Sequence, residues 1–169
     1  MKAIPERKAK EASKVENSSL AKRKAFAPRV LLDILIALLS LAGLGDALYL
    51  TIEHLTGQTV RCSVTSGCSE VLSSSYATVG PVPLAAFGVL AYFSAFSLAT
   101  LACFGYSRAR NLLYVLAAAM LAVTLWLLYV QAFVLRAFCQ YCLLSAAITI
   151  SLFLILLARM VIERRKRLG

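Results

Sequence analysis

Apolar positions in this chain gather into four long runs, with none of the alternation of a half-buried strand. Val30–Leu50, Leu84–Phe104, Leu112–Val134 and Leu143–Met160 each approach or exceed the ~20 residues that cross ~30 Å of hydrocarbon at ~1.5 Å per residue. Cys142 and Arg159 can extend the ends of the last and shortest run. Backbone groups in hydrocarbon must bond internally, so the runs predict an all-α integral membrane protein, a bundle of four transmembrane helices. Polar stretches separate them: a large loop at Thr51–Pro83, a tight turn at Gly105–Asn111 and a short link at Leu135–Cys139. Within the large loop, Ser69–Tyr76 sets Val71, Leu72 and Tyr76 among serines, which predicts a short helix at the interface. Pro81 and Pro83 suit the entry to the second span, where a missing N–H donor costs least.

Composition strengthens this picture and charge gives it a direction. The 169 residues are 60% hydrophobic with a mean hydropathy of +0.79, beyond the roughly half-apolar usage of soluble domains. A net charge of +10 raises the question of nucleic acid, but the basic residues flank the apolar runs and lack the interleaved aromatics of a stacking platform. Membrane lipid is the expected partner and nucleic acid is not. If the spans alternate, all 18 lysines and arginines except Arg61 and Arg136 lie on one side. That side is the expected cytoplasmic one, with both termini. Residues 1–29 read as a disordered basic cytoplasmic tail, 30–160 as the membrane domain and 161–169 as a second basic tail. Ser40-Leu41-Ala42 has the outline of a signal cleavage site, yet the apolar run continues past it to Leu50.

Cysteine placement brings in chemistry. Cys62 and Cys68 fall in the large outer loop, and Cys139 and Cys142 at the outer end of the fourth span. Cys103 sits alone near the opposite face, where a thiol serves as a small apolar side chain. Disulfides persist outside the cytoplasm. Cys139-Gln140-Tyr141-Cys142 is a C-x-x-C at a helix start, where free amide N–H groups and Arg136 favour thiolate. A disulfide between Cys62 and Cys68 closes a loop too short to stabilise much fold, which suits exchange better than bracing. Two other readings stay open on the residues alone: purely structural disulfides in a partner-binding subunit, and a four-cysteine zinc site. A small transporter finds little support, since the spans carry no charged series.

The ordered set Asp46-Ala47-Leu48-Tyr49-Leu50-Thr51, His54, Cys62, Cys68, Ser69-Glu70-Val71-Leu72-Ser73-Ser74, Gly80-Pro81, Gly88, Cys139 and Cys142 resembles the bacterial vitamin K epoxide reductase family. The likeness covers about residues 30–160. The other quinone-linked four-helix disulfide generators, the disulfide-bond protein B family, place C-x-x-C in the first outer loop and the wider pair in the second, the reverse of the order here. The resemblance implies a bundle around a quinone pocket (menaquinone, ubiquinone or similar), capped by the outer loop. It implies that Cys139 and Cys142 are the redox pair beside the quinone, that Cys62 and Cys68 are the shuttle pair, and that Ser74 lies near the quinone. Animal members carry an Asn in the second helix and a Tyr one turn beyond C-x-x-C, both bound to vitamin K carbonyls. Leu84 and Ala146 fall at those positions, so quinone reduction is expected here in place of epoxide reduction. Bacterial members often carry a thioredoxin-like domain after the last span. The chain ends at Leu168-Gly169, so the expected redox partner is a separate thioredoxin-like protein on the outer face.

The implied activity is a quinone-dependent thiol-disulfide oxidoreductase that supports disulfide bond formation. The partner attacks at Cys62, Cys68 attacks Cys139, and Cys142 hands two electrons to the quinone. Three further sets of residues bear on it. Asp46, one turn inside the first span, either delivers protons to the quinone or hydrogen-bonds loop amides. Trp126 and Tyr129, one turn apart, either line the quinone or anchor the interface. Glu53 and His54 stand just outside the span, within reach of tuning the thiols.

Overall fold

The computed structural model describes residues 4–57, 62 and 67–168, with side chains described for 30–57, 62 and 67–165. Helix α1 runs over Ile4–Thr56, α2 over Cys68–Leu72, α3 over Leu84–Cys103, α4 over Ser107–Tyr129 and α5 over Gln140–Leu168. A π-helical segment, Val130–Leu135, continues α4. Strands β1 (Thr78–Val79) and β2 (Val82–Pro83) form an antiparallel hairpin between α2 and α3.

Four segments are long and apolar enough to cross a membrane: Val30–Thr56, Leu84–Cys103, Ser107–Leu135 and Gln140–Arg165. They are the expected spans, in the expected order, of a multi-pass membrane protein. Three run further than the hydrophobic pattern alone indicates, because helix geometry carries on through polar residues at the boundaries. The turn expected over Gly105–Asn111 narrows to Phe104–Tyr106, with Gly105 at φ 90° and α4 starting at Ser107. The short interfacial helix is also shorter than Ser69–Tyr76, since its last residues turn into the hairpin.

Two departures lie outside the spans, one before the first and one before the second. A disordered tail is expected over 1–29, yet α1 is helical from Ile4. The stretch is rich in Ala, Lys and Glu, whose helix propensity does not depend on an apolar face. The hairpin was not anticipated. Its loop is Gly80-Pro81, and Gly80 has φ 63°, the positive value that strand twist demands at the first central position. Arg61 and residues 63–66 lie outside the described residues.

Packing runs round a closed ring, α1 to α3, α3 to α4, α4 to α5 and α5 back to α1. In lipid, helices gain little from hydrophobicity and associate where small side chains let backbones approach. Tyr92, Ala95, Ala99 and Ala102 recur at three- and four-residue spacing as the buried stripe of α3. A Cβ on Gly43 would overlap the Tyr92 ring, so this glycine is what lets α1 close on α3. At the opposite end from the hairpin, buried Arg159 donates to buried Asp33 and Glu163 accepts at 3.4 Å, tying α5 to α1.

Candidate active site

The cysteines assemble at the hairpin end of the bundle. Cys62 and Cys68 form a disulfide with Cα atoms 5.8 Å apart, and Cys103, Cys139 and Cys142 are free thiols. Cys68 (1% exposed) and Cys139 (0%) are buried in one cluster with Leu50, Val71 and Ala137. Cys62 and Cys142 pack against its edges. Cys103 lies apart, as the last residue of α3.

Local structure explains how Cys139 is held. The π-helical turn widens the end of α4, and its cap residue Arg136 is the non-glycine with positive φ (51°) among the described residues. A residue held there costs about 1–3 kcal/mol and persists only where its surroundings fix it. Gln131 does the fixing. Its carbonyl accepts the amides of Arg136 and Ala137, the latter at 3.2 Å, and its side-chain Oε1 accepts the Cys139 N–H at 3.2 Å. The chain then enters α5, with Leu143 N–H donating to the Cys139 carbonyl at 3.0 Å.

Cys142 N–H donates to Cys139 Sγ at 3.5 Å, so the C-x-x-C does close across the first turn of the helix. The Cys142 thiol donates to the Cys139 sulfur, and the Cys142 and Tyr141 amides add to it. Against the opposing effect of burial, they bring the Cys139 thiol down to about 7. Arg136 is exposed and is not among the causes, which corrects the expectation that its charge assists. The Cys142 thiol, with the amides of the helix start behind it, supplies the effect instead.

Gly67 sets the spacing between the two pairs. A Cβ there would lie 2.8 Å from the Phe138 nitrogen and 3.0 Å from the Ala137 Cβ. The residue before Cys68 therefore presses directly on the residues before Cys139. Nothing in the sequence pattern marks Gly67 beyond its place beside a cysteine. Gln131, by contrast, is a lone amide in an apolar run, and an intramembrane polar residue is itself a signal.

Beside the cysteines lies an apolar cavity of about 350 Å³, bounded by all four spans and the outer loop. Cys142, Ser74, Leu84 and Ala146 line it, as do Asp46, His54 and Tyr92. Tyr92 Oη reaches Ser145 Oγ at 2.9 Å and Thr149 Oγ1 at 2.8 Å, and donates to the Ser145 carbonyl at 2.9 Å. Trp126 and Tyr129, expected as candidates for the same pocket, do not line it. They are 51% and 56% exposed, Trp126 edge-on to Tyr76 and Tyr129 against Phe133. Thr124, Leu127 and Leu128 take the cavity-facing positions of α4. Asp46 Oδ2 has no hydrogen-bond partner among the described residues, the described loop amides included.

Known proteins similar to this chain agree with the fold. The model of the vitamin K epoxide reductase family matches residues 34–157. The thiol-disulfide oxidoreductase LTO1 of Arabidopsis thaliana is 34% identical over 117 residues, which cover 64% of this chain and 31% of that protein. The chain thus spans about a third of that relative's length. With four helices of membrane-crossing length and the match running from the first to the last of them, the chain belongs to the vitamin K epoxide reductase family.

Proposed function

We propose that the protein is a membrane thiol-disulfide oxidoreductase. It takes electrons from a thioredoxin-like partner on the outer face and passes them through Cys62/Cys68 and Cys139/Cys142 to a quinone. One observation carries this reading: the four cysteines lie in a single cluster, ordered from a partly accessible sulfur to one on a cavity wall. Cys62 is half-buried, Cys68 and Cys139 are buried together, and Cys142 lines the apolar cavity. The relative named above is a thiol-disulfide oxidoreductase, in keeping with this assignment.

Each transfer between sulfurs is a thiolate displacement through a mixed disulfide. A partner thiolate attacks Cys62, the more accessible member of its pair, and Cys68 leaves. Once freed, Cys68 attacks Cys139 of the Cys139–Cys142 disulfide, and Cys142 leaves as the thiolate. The partner's second thiol displaces Cys62, Cys62 attacks Cys68, and Cys139 leaves; its lowered pKa makes it a good leaving group near neutral pH. Burial of Cys68 and Cys139 keeps glutathione-sized competitors from the middle step.

The cavity fits a quinone headgroup in size and lining. Its volume is at the lower end of the ~300–1,000 Å³ of small-molecule sites, and it is apolar with a few convergent polar groups. Cys142, Ser74, Leu84 and Ala146 would hold the ring beside the redox pair, and Ala146 leaves room where a larger side chain would not. A bound quinone supplies a two-electron acceptor. Oriented in an inner membrane with both termini cytoplasmic, the cluster faces the side where disulfides persist.

The test uses the purified full chain in lipid nanodiscs with a reduced thioredoxin-like protein and decylubiquinone. Partner thiols should disappear as quinol forms, and Cys139→Ala should abolish both. Partner oxidation that continues unchanged in Cys139→Ala would overturn the reading.

A further inference from the structure

Asp46 is a carboxylate inside a membrane span whose Oδ2 is buried without a partner among the described residues. The disulfide relay leaves it without a task. An unsatisfied buried carboxylate oxygen costs the fold free energy, which is tolerated where the group has work to do. Its surroundings narrow that work. Asp46 lines the same cavity as Cys142. Two turns along α1, His54 lines it too, half-buried at the outer end of the span, with Leu50 between them at the same helical spacing. Asp46, Leu50 and His54 form an i, i+4, i+8 row, so the acid and the imidazole share one face of α1.

Proton balance gives the cavity a need for such a group. Forming the Cys139–Cys142 disulfide releases two electrons, and reducing a quinone to its quinol consumes two electrons and two protons. With Cys139 as thiolate and Cys142 as thiol, oxidation makes one S–S bond and breaks one S–H bond. The pair therefore yields one proton, and the second must enter a largely apolar cavity.

We infer that Asp46 is the proton donor to the quinone, recharged from the outer face through His54. The inference rests on the quinone assignment above and deepens it. In this step Asp46 gives its proton to a quinone oxygen as the sulfur pair gives up its electrons, and then takes a proton from the His54 side. The titratable groups around it are few: His54 on its own helix, Tyr92 on α3, Cys139 and Cys142 at the start of α5, and Tyr76 beyond α2; α4 presents none to the cavity. Tyr92 is engaged with Ser145 and Thr149, which leaves Asp46 as the acid with an uncommitted oxygen.

The test compares wild type, Asp46→Asn and Asp46→Glu as full chains in nanodiscs, with dithiothreitol as reductant and decylubiquinone as acceptor. Quinol formation in Asp46→Asn should fall about 10²-fold, the usual scale for losing a general acid, and Asp46→Glu should recover most of it. Exchange of dithiothreitol electrons into the cysteines should be unchanged. Quenching of Trp126, the single tryptophan, by decylubiquinone should report equal binding in all three. The infrared difference spectrum on quinone reduction should contain a carboxyl band in wild type that is missing in Asp46→Asn. Wild-type quinol formation in Asp46→Asn overturns the inference and leaves the functional reading standing. So does a loss traced to weaker quinone binding, or an Asp46→Glu as slow as the asparagine variant. A wild type that forms no quinol overturns the functional reading and this inference with it.

Discussion

At the scale of single residues, two positions control the meeting of the cysteine pairs. Gly67 has an ordinary φ of −95°, so replacing it with alanine adds no backbone strain and tests contact alone. Its new Cβ would push against Ala137 and Phe138. Gly67→Ala should cost about 1–3 kcal/mol, as overpacking does, and should slow exchange between the pairs while each disulfide still forms, measured by thiol labelling after rapid acid quench. Cys139 offers a test in pH. Its pKa is lowered, so its thiolate is present above about pH 7 and is lost as pH falls through that value. In the reduced protein, ultraviolet thiolate absorbance should therefore rise with a midpoint near 7. Cys142→Ala removes the main hydrogen-bond donor to the Cys139 sulfur and should move the midpoint up towards the ~8.5 of a free cysteine. A midpoint unmoved by that substitution would assign the effect elsewhere. The four cysteines, Ser74, Leu84 and Ala146 were all legible in the sequence as neighbours of one site. Gly67 was not, because its importance comes from a close approach that exists only once the chain is folded; Gln131 stood out as a lone amide in an apolar run, but the π-helical turn that gives it its task did not.

Helices and their connections raise a different question, that of what sets the bundle's geometry. The Asp33–Arg159 pair is buried, and each charge depends on the other. Removing one partner of such a pair typically costs ~3–5 kcal/mol, while replacing both with apolar residues is often neutral. Asp33→Leu should therefore lower the thermal unfolding midpoint sharply, and Asp33→Leu with Arg159→Leu should recover most of it. Two equally damaging variants would argue that packing, not charge, holds this end. Periodicity read the spans well because lipid forces helices, but it read α4 less well. Trp126 and Tyr129 share a face, and the sequence left open which way that face turns. Contacts with α3 and α5 settle it, directing Thr124 and Leu128 to the cavity and leaving the aromatics exposed. The helical start of α1 was similarly hidden, since a polar Ala/Lys/Glu stretch has helix propensity without any apolar face to announce it.

Across the whole molecule, a closed ring of four spans places a cysteine cluster and an apolar cavity side by side at one end, with an ion pair tying the other. The hydrophobic runs and the order of the cysteines made the architecture readable from the sequence. The meeting of Cys68 with Cys139 was implied by the family resemblance alone; their shared burial depends on how the outer loop folds back over the bundle, which no residue pattern showed. In the proposed function, that shared burial is what would join the Cys62/Cys68 and Cys139/Cys142 pairs into a relay. It is tested by a chain carrying Cys62→Ala and Cys142→Ala, which leaves Cys68 and Cys139 without their usual partners. Under mild oxidation in nanodiscs, a Cys68–Cys139 disulfide should form in most molecules, identified by mass spectrometry of the linked peptides. If the two sulfurs stay free while Cys62 and Cys68 pair normally in the parent chain, the electron path between the pairs does not exist.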